Sequence, residues 1–278
     1  MLYRLYTPPP PLSAFVNCLW YSEGFEGTHQ RERLLPNGES SIVFDLRERP
    51  ICIFGADNES TVEFHAPAIF CGARTDCFVI DTRAQERVLG IQFRPGGAAP
   101  FLSLPASEVA GGTHALADAW GGAGTPASNA MLLREQILDA KSIPAIFTIL
   151  EQALLARLNR LYTLHPAIAF AARALAQSSA TVRVSTVADQ IGFSTRRFGD
   201  LFREQTGLTP KAFHRVRRFQ HVLKTLRNRR DDNWAALALD CGYYDQAHFI
   251  HDFKDFSGLT PGEYITIATP HLNHVPLK

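Results

Sequence analysis

Residues 187–210, VADQIGFSTRRFGDLFREQTGLTP, and residues 237–261, LALDCGYYDQAHFIHDFKDFSGLTP, are two copies of one pattern. Ala188, Gly192, Phe198, Phe202 and Gly207-Leu208-Thr209-Pro210 in the first correspond to Ala238, Gly242, Phe249, Phe253 and Gly258-Leu259-Thr260-Pro261 in the second. The offset is 50 residues up to the glycine and 51 after it, so the second copy has one extra residue in its turn. Ser194 then falls opposite Asp245, and both residue types cap helix N-termini because a short side-chain oxygen accepts from an otherwise unsatisfied first-turn amide. Each copy therefore reads as a helix, a glycine turn, a capped second helix with aromatic residues four apart on its buried face, and a Gly-Leu-Thr-Pro stop. That is a helix-turn-helix, expected over about residues 184–206 and again over about 233–257.

The second helix of such a unit lies in the major groove and leaves its outward residues free to touch base edges. In the first copy Phe198, Leu201 and Phe202 face inward, and Thr195, Arg196, Gly199, Asp200 and Arg203 face outward. Base reading is expected from Thr195, Arg196, Asp200 and Arg203. Arg196 suits a bidentate contact to guanine, and Asp200 either accepts from cytosine or holds Arg196. In the second copy the readers are Gln246, Ala247, Ile250 and His251, with His248 beside them. Gln246 suits adenine, and Ala247 and Ile250 suit a thymine methyl. Residues 211–226 have the spacing of one continuous helix, which would hold the two readers about one helical turn of DNA apart, roughly 34 Å. Lys211, Arg215, Arg217, Arg218 and Lys224 lie on it. Arg197, Lys211, Arg215, Arg218 and Lys254 are the expected phosphate contacts, which add affinity without sequence information.

The charge distribution agrees with this placement. The whole chain of 278 residues has a formal net charge of only +1. Divided along its length, that charge is −4 over residues 1–115, +1 over 116–180, +9 over 181–230 and −6 over 231–263. A basic block of fifty residues is the footprint expected of nucleic-acid contact, and on charge alone it is equally a solvated helix face.

Residues 181–264 resemble the DNA-binding domain of the AraC/XylS family of bacterial transcription regulators. The resemblance rests on Val187-Ala188, Gly192-Phe193-Ser194, Phe198, Leu201-Phe202, Gly207-Leu208-Thr209-Pro210 and Arg218-Phe219. In the second copy it rests on Ala238, Gly242-Tyr243, Phe249, Phe253-Lys254 and Gly258-Leu259-Thr260-Pro261. Two departures stand out. Gly199 replaces a side chain that usually faces the groove and weakens its helix. The second copy is net negative, which predicts repulsion from phosphate and a first unit that dominates affinity.

The first hundred residues are short apolar runs broken by turn formers: 15–21, 41–46, 51–54, 77–82 and 88–93, separated by Pro36-Asn37-Gly38, Gly55-Ala56-Asp57-Asn58 and Pro95-Gly96-Gly97. Strands and turns follow. After a short helix before Pro105 and the glycine-rich 121–124, Leu132, Leu133, Ile137, Leu138, Ile146, Ile149, Leu150, Leu154, Leu155, Leu158 and Leu161 recur at helical spacing around Pro144, as either core or dimer seam. A further helix spans about 166–177, and the loop 178–181 closes it. The expected fold is α+β: a β-rich domain over 1–115, a helical linker or dimerisation region over 116–163, and an all-α DNA-binding domain over 164–278. The family resemblance implies a cupin-like barrel for the first part, an effector held there, and a homodimer acting on double-stranded promoter DNA. Leu35-Pro36-Asn37-Gly38 and residues 90–97 resemble a recurring sensor-like N-terminal region. Trp20, Phe44 and Phe93 are candidate effector-pocket residues, as is Phe54, with Arg94 as a charged anchor; the alternative reading is core aromatics and a turn arginine.

Other chemistries find little support. His29 and His65 lack the paired spacing of metal ligands, and no cofactor or metal is expected. The five cysteines are an odd set without a C-x-x-C pair, which fits a reducing compartment. Among them Cys71 and Cys77 flank Arg74, which could lower a thiol pKa and make a redox pair. No signal peptide or spanning segment is apparent, so a cytoplasmic protein without membrane contact is expected. The absence of a nucleophile elbow, phosphate loop or zinc-protease motif argues against an enzyme tethered to DNA. A constitutive or architectural binder whose N-terminal half only dimerises is the nearest alternative.

Overall fold

The computed structural model describes residues 2–25, 29–47, 49–55, 62–82, 86–121, 130–158, 164–177, 182–228, 233–269 and 271–277. The fold is α+β, with two antiparallel sheets in the N-terminal half and a C-terminal half of helices. The first sheet has the order β1 (Leu2–Tyr6), β2 (Val16–Glu23), β9 (Arg87–Phe93), β4 (Ser41–Asp45), β7 (Ala68–Cys71), β10 (Thr113–Ala115). The second has β11 (His274–Leu277), β3 (Arg31–Leu34), β8 (Phe78–Asp81), β5 (Ile51–Phe54), β6 (Val62–His65). Among the described residues no ladder joins the two, so the cupin-like arrangement expected of this half is an open one of two facing sheets.

The pleat decides which side chains face which layer, since successive residues of a strand point to opposite faces. On the first sheet Leu19 and Tyr21, Ile42 and Phe44, and Leu89, Ile91 and Phe93 join one hydrophobic core. That core is closed by α1 (Leu116–Trp120), α2 (Ala130–Asp139) and α3 (Ile143–Arg157), which contribute Trp120, Leu133, Ile137, Ile146, Leu150 and Leu154. The leucine stripe of the middle region is therefore mostly core. Leu138, Ile149 and Leu158 pack against it half-buried, while Leu132 and Leu155 stay exposed; Leu161 lies outside the described residues. The opposite parity, Cys18, Trp20 and Ser22, Ser41, Val43 and Asp45, Val88 and Gln92, faces the second sheet across a cavity of about 630 Å³.

At Gly90 a glycine is required. A Cβ there would lie 2.2 Å from Cε2 and Cζ2 of Trp20, so the indole lies against the β9 backbone with no room for a side chain there.

The C-terminal half comprises α4 (Pro166–Gln177), α5 (Val184–Gln190), α6 (Thr195–Thr206), α7 (Pro210–Asn228), α8 (Trp234–Asp240), α9 (Gln246–Ser257) and α10 (Pro261–Ile267). It has two cores. Ile168, Ala171 and Leu175 of α4, Val187 and Ala188 of α5, Phe198 and Phe202 of α6 and Phe213 of α7 form one. Farther along α7, Val216, Phe219, Val222, Leu223 and Leu226 recur at helical spacing and join Leu237, Ala238, Phe249, Phe253, Phe256 and Tyr264 in the other. The second core also takes Leu35 and Cys77 from the sheet domain and Val275 from the tail, so the two halves share packed interior.

Candidate nucleic-acid interface

Both units are built by the devices the sequence announced. Gly192 and Gly242 take the turns at φ +69° and +79°, where only glycine is free of Cβ strain. The Ser194 hydroxyl accepts from the Arg197 amide at 3.3 Å, and Asp245 accepts from the His248 amide at 2.8 Å. At the other end Gly207 and Gly258 are left-handed caps whose amides reach Arg203 O and Lys254 O. The repeat extends one position further than the sequence comparison noticed. Thr206 and Ser257, both buried, each donate a hydroxyl to the carbonyl four residues back, Phe202 at 2.8 Å and Phe253 at 2.6 Å. Inside, Phe198 meets Phe202 edge-on at 5.6 Å and Phe249 meets Phe253 at 5.9 Å.

The outward faces are open. On α6, Thr195, Arg196, Arg197, Asp200 and Arg203 are exposed. Arg196 lies 3.9 Å from Asp200 with both side chains at least 80% exposed, a long contact that leaves the guanidinium free to be aimed elsewhere. Arg197 is positioned by stacking over Phe193 at 4.7 Å, which turns its charge to the flank of the helix. Nothing lies within 4 Å of a Cβ built on Gly199, so packing does not demand glycine there. On α9, Gln246, Ala247, His248, His251 and Lys254 are exposed, whereas Ile250 is half-buried against the second core and offers only part of its surface.

The long helix departs from expectation. Lys211 is exposed. Arg218 is not a free phosphate ligand: its side chain is 12% exposed, donates to Asp252 at 2.7 Å and stacks over Tyr243 at 4.1 Å. Arg215 donates to the other Asp252 oxygen at 2.5 Å and to Asp255 at 3.4 Å. Burial opposes ionisation of Asp252, but the two guanidiniums outweigh it and hold the carboxyl below its ordinary value. Both positions were expected to meet DNA because helical spacing places them on α7. What spacing cannot give is their partner, a carboxylate 34 residues or more away in sequence. Arg217 is likewise engaged, with Glu39 of the sheet domain at 2.9 Å. Burial pushes the Glu39 carboxyl up despite that partner. An open groove of about 830 Å³ runs between α7 and the start of α9, lined by Lys211, Arg215, Ala247, His248 and His251 among others.

Part of the acidic surplus of the second unit is structural. Asp252 is buried in the arginine pair, Asp245 caps α9, and Glu263 completes a capping box with Thr260 on α10. The buried, arginine-paired Asp252 therefore drops out of the charge that this unit shows to phosphate.

In the sheet domain the four effector candidates separate. Trp20 lines the inter-sheet cavity. Phe44 and Phe93 do not, because they stand on the other parity of β4 and β9 and are fully buried under the helices. Arg94 lies away from the cavity, exposed, with Nε donating to Ser13 O at 2.9 Å. Phe54, also raised, is buried beneath the Arg31 guanidinium at 4.1 Å. The alternating run was recognised in these strands, but which parity faced a ligand depended on where the helices would land. Residues that the sequence did not single out include Ser22 and Gln92 on the cavity floor. Ser22 is 4% exposed and its hydroxyl has no hydrogen-bond partner among the described residues. Burial raises the Cys71 thiol in spite of Arg74 nearby, opposite to the direction expected for a reactive cysteine. His29 and His65 are paired with Glu32 and Glu63. Among the described residues no helix is long and apolar enough to cross a membrane.

A family model described as a helix-turn-helix domain matches residues 187–266, and one described as a domain of unknown function, DUF6597, matches residues 4–114. Among solved structures the chain is similar to a probable AraC family transcriptional regulator from Rhodopseudomonas palustris CGA009, at 25% identity over 38% of this chain and 100% of that one, with a TM-score of 0.34. It is also similar to ToxT from Vibrio cholerae, at 9% identity over 96% of this chain and 98% of that one, TM-score 0.46. With its two capped recognition helices in the matched C-terminal region, the chain is a DNA-binding transcription regulator with a helix-turn-helix domain like that of AraC family regulators.

Proposed function

We propose that this regulator reads promoter DNA sequence-specifically with both helix-turn-helix units and that a small molecule in the inter-sheet cavity governs the reading. The observation that carries the first part is the pair of capped helices α6 and α9, each with a solvent-facing row at its N-terminal end. Thr195, Arg196, Asp200 and Arg203 on α6 and Gln246, Ala247 and His251 on α9 are the proposed base readers, with Ile250 contributing its exposed edge. Arg197, Lys211 and Lys254 are the proposed phosphate contacts.

The effector reading is supported by the cavity itself, large enough for a metabolite, lined by Trp20 and bordered by the Ser22 hydroxyl, which has no partner among the described residues. Homodimerisation is proposed through the outer faces of α2 and α3, where Leu132 and Leu155 remain exposed. We place the protein in the cytoplasm, where promoter DNA is.

Selection of bound sequences from a random duplex pool by the full-length protein, at two salt concentrations, tests the first part. Two half-elements about one helical turn, roughly 34 Å, apart are expected. Binding that is salt-sensitive but blind to sequence at both salts would refute it. Thermal shift against a metabolite panel tests the cavity, because a ligand that binds only the folded chain must raise its melting temperature. Sedimentation velocity of the wild type and of Leu155→Glu tests the dimer.

A further inference from the structure

After α10 the chain leaves the second helix-turn-helix unit and returns to the sheet domain. β11 becomes the edge strand of the second sheet, pairing antiparallel with β3 in the register His274↔Leu34, Val275↔Arg33, Pro276↔Glu32, Leu277↔Arg31. The Leu35 amide donates to Asn273 O at 2.9 Å. Alternation of the ladder then places Pro276 where an amide would point outward from the edge, so the missing N–H removes no sheet hydrogen bond.

Three different structures converge on this short strand. It is part of the sheet domain through its ladder and through His274 Nδ1, 2.8 Å from the buried Glu32 carboxylate. It belongs to the second unit through fully buried Val275, which packs in the core with Phe219 and Phe253. Tyr264 of α10 donates to Leu272 O at 2.8 Å, and Gln220 of α7 donates to Asn273 Oδ1 and to Pro36 O, both at 2.8 Å. The strand's first residue, His274, is also cavity wall together with Leu272 and Asn273 just before it. A second tie runs beside it, from Arg33 Nη1 on β3 to Ser257 O at the end of α9 at 2.9 Å.

We propose that β11 is a latch by which the cavity sets the position of the second helix-turn-helix unit; this rests on the reading of that cavity as the effector site. The first unit leans on the sheet domain independently, where a Cβ on Gly207 would meet Ala106 O at 3.1 Å and one on Gly96 would meet Leu164 at 2.8 Å. With one unit seated there and the other held by β11, the sheet domain splints both readers. DNA carrying two elements needs both presented together, and holding them so before binding removes an ordering cost. DNA carrying one element needs no splint. A ligand in the cavity bears directly on Asn273 and His274, and so tightens or frees the latch.

The test uses the full-length chain and no ligand. Val275→Asp is expected to lower affinity for a duplex with both selected half-elements about tenfold and to change affinity for a single half-element less than about twofold, the loss of one preorganised contact costing about 1.4 kcal/mol. Hydrogen exchange should rise in α8 and α9 and stay unchanged in α5 and α6. Because an aspartate in a core can unfold its surroundings, a Leu34→Cys/His274→Cys pair is made in the same background. These positions form a non-hydrogen-bonded pair, about 4.5 Å between Cα atoms, within reach of a disulfide. Oxidation should restore two-element affinity and exchange protection, and reduction should abolish the rescue. Unchanged two-element affinity, an equal loss on both duplexes, or no rescue on oxidation overturns the latch. Failure of the effector reading shows separately, as a wild-type melting temperature that no compound in the panel moves.

Discussion

Arg218→Ala separates two roles for a basic residue on the long helix. The side chain is 12% exposed, donates to Asp252 at 2.7 Å and lies over the Tyr243 ring at 4.1 Å. A hydrogen bond to a charged group contributes about 1.5–3 kcal/mol, and a sheltered cation–π contact about 1 more. Asp252 keeps Arg215, so its charge is not left bare and the 3–5 kcal/mol typical of orphaning a buried ion is an upper bound. A loss of about 2–4 kcal/mol in the second unit is expected. By contrast Arg196→Ala, whose side chain is 94% exposed, should stay within about 0.5 kcal/mol of wild type. The assay is urea unfolding of both variants, with DNA affinity measured across a salt series. The double variant Arg218→Ala/Asp252→Ala should lose less than the two single losses added, since each removes the same contact. Wild-type stability in Arg218→Ala, together with a uniform loss of DNA affinity and a salt slope reduced by about 1, would refute this reasoning and return Arg218 to the phosphate contacts.

Arg196→Ala is expected to cost about 1–3 kcal/mol on selected DNA and to relax the preference at one base position, read by repeating the selection with the variant. Gly199→Ala should raise stability by about 0.5–1 kcal/mol by melting or urea titration, because space for a Cβ is open and alanine is the better helix former. In the sheet domain Phe44→Ala should cost about 3–5 kcal/mol, as expected of a fully buried core ring, while Trp20→Ala should alter small-molecule thermal shifts more than stability. Asp252 titrates below its ordinary value of 3.8 in the folded chain, so its stabilising contribution is complete above the unfolded-chain value and fades as the pH falls through the folded one. The stability gap between wild type and Asp252→Asn should accordingly shrink as urea titrations are moved from pH 7 toward pH 3.

The helix-turn-helix units were legible because every feature that defines them is local. A glycine turn, a Ser or Asp cap and aromatic residues four apart declare themselves within about twenty residues, and α4 was placed at 166–177 by the same kind of signal. In the sheet domain β5 was read at its observed bounds, 51–54, but β1, β3, β6, β7, β10 and β11 were not anticipated. Their sequences show why. RERL in β3 and VEFH in β6 look polar because one face borders solvent or an ion pair, and HVPL in β11 carries a proline that only an edge strand tolerates. Pairings between distant segments are invisible to a local pattern. Phe44 and Phe93 were misplaced for that reason: alternation was apparent in their strands, but the face that α2 and α3 would cover was not.

The reversal of charge between the two units, +9 followed by −6, takes a different meaning once partners are known. Arg215 and Arg218 come from the basic block and Asp252 and Asp255 from the acidic one, and they are spent on each other. Arg217 is likewise spent on Glu39 in the sheet domain. Of the exposed cations of residues 181–263 on the described surface, Lys224 and Arg227 border the inter-sheet cavity, which leaves Arg183 before α5, Arg196, Arg197 and Arg203 on α6, Lys211 at the start of α7 and Lys254 on α9 to face DNA. The charge asymmetry that suggested a dominant first unit is partly the internal glue that fixes the second unit onto α7. It follows that the salt dependence of binding should report fewer neutralised phosphates than the twelve basic residues of 181–230, with a slope near −0.9 times the six residues just named expected for one chain. A steeper slope per chain would mean that cations now locked in ion pairs are released on binding, and with them the arrangement of the second unit.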